Sequence, residues 1–131
     1  MYKNKILVTG GTGFIGKALL RSLFDSGNSI VAPSRKSVSP LPINVSMPLL
    51  TDIGLLSDRS DLIEGCNVAI HLAAKAHVVG DPLSAFRCTN TDATLSFANQ
   101  CARLGVKRFI FLSSIGVNGI QSDKPFTASD I

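Results

Sequence analysis

Ile6-Leu7-Val8-Thr9-Gly10-Gly11-Thr12-Gly13-Phe14-Ile15-Gly16 decides how this chain reads. A short apolar run enters a cluster of glycines, and an amphipathic stretch follows. Gly10 and Gly11 allow a sharp turn off a strand. Gly13 has no Cβ, so backbone amides can approach phosphate oxygens closely, and Gly16 lets a helix pack tightly on the strand. The helix N-terminus adds unpaired N–H groups and partial positive charge. Strand, glycine turn and helix together form the arrangement that holds a dinucleotide pyrophosphate. A purely structural turn is the competing reading, weakened by the right context on both sides.

Working outward, Lys5 to Thr9 reads as the first strand and Gly13 to Phe24 as a helix, with Ile15, Leu19, Leu20, Leu23 and Phe24 at helical spacing. Gly27 is a suitable stop. Ser29 to Ser34 reads as a second strand. Pro40, Pro42 and Pro48 break any helix in the next segment, leaving a short third strand at Ile43 to Met47. A short helix is expected over Leu55 to Glu64, closed by Gly65. Val68 to Leu72 is apolar enough for a strand buried on both faces. Asp81-Pro82 reads as a helix start, with Asp as cap. The helix runs from Leu83 to about Leu104, and Gly105 ends it. Arg108 to Ser113 is the fifth strand, and a loop is expected beyond Ser114. Strands alternating with helices predict an α/β Rossmann-type doubly wound parallel sheet of about five strands, incomplete, in three α/β/α layers. Ligands of such sheets bind at the carboxyl ends of the strands.

The length of 131 residues fits one domain, a dinucleotide-binding domain over residues 1–131. No apolar run is long enough to span a membrane, and the start enters a strand without a signal-peptide pattern, so a cytoplasmic protein is expected. Cys66, Cys88 and Cys101 are widely spaced. They form no Cys-x-x-Cys pair and no Cys/His cluster with zinc spacing, so packed, reduced thiols are expected and no metal. The net charge of +4 is scattered, with no Trp and one Tyr, which argues against a nucleic-acid partner.

The place where an NAD-preferring fold carries an acid, at the end of the second strand, holds Ser34. No Asp or Glu occurs between Gly27 and Thr51, and Arg35 and Lys36 follow directly. A carboxylate repels a ribose 2′-phosphate, whereas a guanidinium clamps it. NADP is therefore expected over NAD. The alternative leaves Arg35 and Lys36 as surface charges on a loop.

Five blocks in order, residues 9–16, Asp52-Ile53, Ile70-His71-Leu72-Ala73-Ala74, Asn90-Thr91-Asp92-Ala93-Thr94 and Phe109-Ile110-Phe111-Leu112-Ser113-Ser114, resemble the extended short-chain dehydrogenase/reductases. The closer resemblance is to the NAD(P)-dependent nucleotide-sugar epimerase/dehydratase group, and it covers essentially the whole chain. It implies that Phe14 and Ile15 lie over the pyrophosphate and that Asp52 and Ile53 contact the adenine. Leu72, Ala73 and Ala74 would line the dinucleotide, and Asn90 would sit near the cofactor end of the site. Ser114 aligns with the catalytic Ser/Thr that hydrogen-bonds the reacting hydroxyl or carbonyl. Each position also has a structural reading: close packing for the alanines, a satisfied polar group for Asn90, a cap for Ser114. His71, inside a strand, reads as a packed histidine, and His77 as a loop residue without an evident partner.

Three positions depart from the resemblance. Ala93 stands where the group often has glycine, and Asn118 replaces a tyrosine before Gly119. Ile115 and Gly116 follow Ser114 in place of the acidic pair of many sugar dehydratases, favouring an epimerase or ketone reductase. The resemblance also implies a Tyr-x-x-x-Lys pair downstream of Ser114, with the tyrosine as general acid/base. The only tyrosine here is Tyr2. The chain is thus expected to be the cofactor-binding half of an oxidoreductase or epimerase acting on a nucleotide-linked sugar by hydride transfer, inactive alone, with a possible homodimer contact through the 83–104 helix. A non-catalytic dinucleotide-binding module and a ketone reductase of the same superfamily are the alternatives.

Overall fold

The computed structural model describes residues 3–76, 79–119 and 121–129. Tyr2 and His77 lie outside the described residues. Five parallel strands form one sheet: β1 (Lys5–Thr9), β2 (Ser29–Val31), β3 (Val45–Ser46), β4 (Val68–His71) and β5 (Arg108–Phe111), in the order β3-β2-β1-β4-β5. The expected α/β Rossmann-type architecture is the observed one. The register pairs Leu7 with Val31 on one side and with Ala69 on the other, and sets Thr9 opposite His71.

Successive side chains of a strand face opposite sides of the sheet, so β1 feeds two cores. Ile6 and Val8 join Ile30, Ala32 and Ile70 under Leu19, Leu20 and Leu23 of the first helix, α1 (Phe14–Asp25). Leu7 joins Val31, Leu56, Ile63, Ala69, Phe97 and Cys101 on the opposite face. Coverage on both faces is what parallel sheets require.

α1 opens on Gly13 and closes at Ser26, with Gly27 in a left-handed conformation and its N–H on the Phe24 carbonyl. β2 and β3 are shorter than their apolar runs. Pro33 and Pro48 supply no N–H, so regular pairing lapses and resumes only as an isolated bridge between Ser34 and Leu49. The segment expected as one helix over 55–64 splits into a 3₁₀ turn (Ile53–Asp58) and the one-turn α2 (Ser60–Ile63), because Arg59 leaves helical geometry between them. Gly65 closes this segment in the left-handed region.

The long helix is continuous but not uniform. α3 (Leu83–Arg87) passes through a π-helical turn (Cys88–Asp92) into α4 (Ala93–Arg103). Asp81 is not its cap: Pro82 occupies the cap position without a side-chain bond, and the Asp81 carboxylate pairs with Lys75 instead. β5 ends two residues before the expected Ser113, and a 3₁₀ turn (Ile115–Val117) follows. Among the described residues no helix is long and apolar enough to cross a membrane.

Candidate functional site

From β1 the chain moves outward through β2 to β3 on one side of the sheet, and β4 then returns to the other side of β1. The order reverses at β1, the place where open parallel sheets offer a crevice at the carboxyl ends of their strands. A cleft of about 670 Å³ sits there.

Its first wall is the glycine turn. Gly10 has φ +71°, and a Cβ on it would stand 2.8 Å from the Ala73 nitrogen, so the turn after β1 presses against the strand-end loop of β4. The Gly13 N–H bonds the Gly10 carbonyl at 3.0 Å. Gly13 caps α1 with no side-chain hydrogen bond, and the first turn carries no acidic residue. The first N–H groups of this helix end have no partner within the helix, an arrangement that can take an anion, and Gly10, Thr12 and Gly13 line the cleft beside it. Gly16 lies one turn inside, where a Cβ would stand 2.7 Å from the Gly11 Cα. It therefore shapes the turn without lining the cleft. Phe14 and Ile15 are exposed and do not line it either.

The second wall comes from the segments after β2 and β3. Ser34 takes the Leu50 N–H on its carbonyl and gives its own N–H to the Pro48 carbonyl, both at 2.9 Å. This pairing carries Ser34 and Arg35 alongside Thr51, Asp52 and Ile53, all at the cleft. The Ser34 hydroxyl accepts the Lys36 N–H at 3.3 Å, curling the chain so that Arg35 lines the cleft and Lys36 does not. One Asp52 carboxylate oxygen accepts the Gly54 N–H at 2.7 Å and caps the 3₁₀ turn.

The third wall is the loop after β4. Leu72, Ala73, Ala74 and Lys75 line the cleft, with Asp81 paired to Lys75. Asn90 does not reach the cleft. Its side-chain oxygen accepts the Lys75 N–H at 2.7 Å and its amide nitrogen donates to the Lys75 carbonyl at 2.9 Å, so it braces the loop from behind. Below the loop, His71 is fully buried between the hydroxyls of Thr9 and Thr94, and burial pushes its pKa down. The packed reading of His71 is the one the structure supports.

Ser114 is exposed at the head of the 3₁₀ turn after β5, where its Oγ accepts the Gly116 N–H at 3.2 Å. It does not line the cleft. Thr12, Lys75, Asp81 and Thr89 line the cleft without having been assigned a cofactor role from the sequence. Thr12 had a signal, its place inside the glycine turn. The Lys75–Asp81 pair had none, because it is made by folding. Among the described residues no three His, Cys, Asp or Glu side chains gather in a metal-binding group.

A profile of the NAD dependent epimerase/dehydratase family matches residues 6–130. UDP-glucose 4-epimerase of Vibrio cholerae is 40% identical over 121 residues, covering 87% of this chain and 36% of that protein. Sterol-4-alpha-carboxylate 3-dehydrogenase, decarboxylating, of Dictyostelium discoideum is 29% identical, covering 92% of this chain and 40% of the relative. Among solved structures, UDP-N-acetylglucosamine 4-epimerase from Methanobrevibacter ruminantium M1, in complex with UDP-N-acetylmuramic acid, superposes with a TM-score of 0.81 at 28% identity. That match covers 99% of this chain and 44% of the neighbour. MoeE5 in complex with UDP-glucose and NAD gives 0.80 at 31% identity, covering 97% of this chain and 42% of the neighbour. The chain thus spans less than half the length of these relatives. Since the family profile runs from β1 through the last described residue, and the cleft stands at the reversal of strand order, the chain belongs to the NAD dependent epimerase/dehydratase family.

Proposed function

We propose that the cleft binds NADP in preference to NAD, and that the chain supplies the cofactor-binding part of an enzyme acting on a nucleotide-linked sugar. The observation that carries the reading is the convergence of the open α1 terminus, Gly10, Arg35 and Asp52 on one cleft. These residues fit a dinucleotide. The pyrophosphate would take the N–H groups of the glycine turn and the first turn of α1, beneath Phe14 and Ile15. Arg35, with Lys36 beside it, would meet the 2′-phosphate, and Ser34 the ribose hydroxyls. Asp52 and Ile53 would hold the adenine, and Leu72, Ala73 and Ala74 the middle of the cofactor. Bound nicotinamide would supply hydride exchange with a sugar carbon. Ser114 would hydrogen-bond the reacting hydroxyl or carbonyl, for which its hydroxyl proton remains available while its oxygen accepts from Gly116. The 83–104 helix would carry a homodimer contact.

An enzyme of the same superfamily acting on a non-sugar ketone is the second reading. It is favoured by the sterol dehydrogenase relative and by a putative dihydroflavonol 4-reductase of Synechocystis that is 30% identical. The test is calorimetric titration of the chain with NADPH and NADH, repeated on Arg35→Ala. NADPH should bind about tenfold tighter, and Arg35→Ala should remove that difference, the worth of one charge-assisted contact. NADH binding as tightly as NADPH overturns the preference, and binding of neither overturns the cofactor reading.

A further inference from the structure

The buried polar chain beneath the cleft assigns its own protons. The Thr9 hydroxyl oxygen lies 3.2 Å from the Leu72 nitrogen and 3.2 Å from the Ala73 nitrogen. Backbone N–H groups only donate, so this oxygen accepts both, and the single hydroxyl proton has one remaining partner: His71 Nδ1, at 2.7 Å. Nδ1 is therefore an acceptor. The imidazole is neutral with its proton on Nε2, which donates to the Thr94 hydroxyl at 2.9 Å. The Leu72 N–H is shared with the Thr9 carbonyl at 3.3 Å, whereas Ala73 depends on the hydroxyl. Ala73 is also the residue against which Gly10 packs.

The ring's surroundings leave little room for another state. From β1 it meets Thr9, and from the helix Thr94 and Phe97, the latter at 5.4 Å between ring centres. From β5 it meets Phe109 at 6.1 Å and Phe111 at 5.8 Å, the latter stacked. None of these five is titratable, and burial is the cause of the lowered pKa. A proton added at Nδ1 would compete with the two N–H groups for the lone pairs of the Thr9 oxygen and would deprive the hydroxyl of its acceptor.

We propose that His71 is a positioning residue for the cleft: as the neutral Nε2–H tautomer it orients the Thr9 hydroxyl, which holds the Leu72–Ala73 wall, and protonation of the ring releases that wall. The effect on cofactor affinity rests on the cleft being the dinucleotide site. The holding of the wall does not.

The experiment uses the full chain labelled with ¹⁵N. Imidazole spectra should report the Nε2–H tautomer at neutral pH. The Ala73 amide should be protected from hydrogen exchange, and that protection should fall as His71 titrates in acid. Thr9→Ser keeps the hydroxyl and should keep both signatures. Thr9→Val should raise Ala73 exchange and weaken NADPH binding, each by about tenfold, the scale of one unsatisfied buried donor. NADPH affinity should fall in acid with a component at the His71 midpoint beside the one set by its own 2′-phosphate, and His71→Gln should remove the first component and leave the second. An Nδ1–H tautomer, or Ala73 exchange unchanged in a folded Thr9→Val, overturns the proposal. If Thr9→Val fails to fold, the wild-type tautomer and the acid dependence of Ala73 exchange decide it. If the wild-type chain binds neither NADPH nor NADH, the cofactor reading fails and the spectra and exchange still judge the positioning role. If NADPH binds but its affinity ignores His71 titration, the positioning role fails alone.

Discussion

Gly10 and Gly16 serve one turn by different physics. Gly10 needs a left-handed backbone, whereas Gly16 needs only the absence of a side chain where α1 crosses the turn. A Cβ on Gly16 meets backbone at Gly10 and Gly11, which cannot rotate away as a side-chain tip would. Gly16→Ala should therefore cost about 1–3 kcal/mol or more in urea denaturation, the range of overpacked sites. A smaller loss would show that α1 can shift off the turn. The cysteines divide as sharply. Cys66 and Cys101 are buried, and Cys101 is pushed up to about 12 by desolvation and by Cys66 beside it, whereas Cys88 is exposed. Brief alkylation of the folded chain at neutral pH should label Cys88 alone, with Cys66 and Cys101 reacting only after unfolding, as peptide mapping would show.

Elements were legible where one local rule decided them. The apolar runs of β1 and β4, the helical spacing of α1 and the stop at Gly27 all read directly from sequence, as did the parallel α/β order. What escaped was set by contacts distant in sequence. The π-helical turn at Cys88–Asp92 interrupts a stretch whose spacing reads as one helix, and the Asn90 amide within it meets the backbone of Lys75. The Asp81 carboxylate left the cap role for Lys75 in the same loop. Of the candidate cofactor residues, Gly10, Gly13, Ser34 and Arg35, marked in the sequence by turn chemistry and charge, line the cleft, as do Asp52 and Ile53, which only the family resemblance marked, whereas Phe14, Ile15, Gly16 and Lys36 do not line it. Asn90 has a marked residue type but an unmarked direction, visible only once the loop after β4 is in place. Asn90→Ala leaves both polar groups of Lys75 without their partner and should destabilise the chain by about 1–3 kcal/mol. Faster hydrogen exchange at Lys75 would localise the loss to the brace. Unchanged exchange there would mean that water replaces the amide at no cost.

At the scale of the whole molecule, stability should respond to pH through the two ends of the buried polar and thiol groups. His71 is held below its ordinary value of 6.5 by burial, so the unfolded chain binds its proton first as the solution is acidified. Its contribution is fully present above pH 6.5 and declines as pH falls through the window below it. Cys101 has the opposite sign: its folded value lies above the ordinary 9.0, so its contribution is present below pH 9.0 and is lost as pH rises toward about 12. Asp61 is held low by Arg59, but both groups are exposed and their pair contributes little. Urea denaturation of the chain should therefore give a plateau between near-neutral pH and pH 9.0, with an acid limb and an alkaline limb. His71→Gln, which cannot titrate, should lower the plateau because Thr9 and Thr94 lose well-placed partners, yet flatten the acid limb between pH 6.5 and the onset of carboxylate protonation. An acid limb of unchanged slope in that variant would assign the loss to other groups and leave His71 without a part in it.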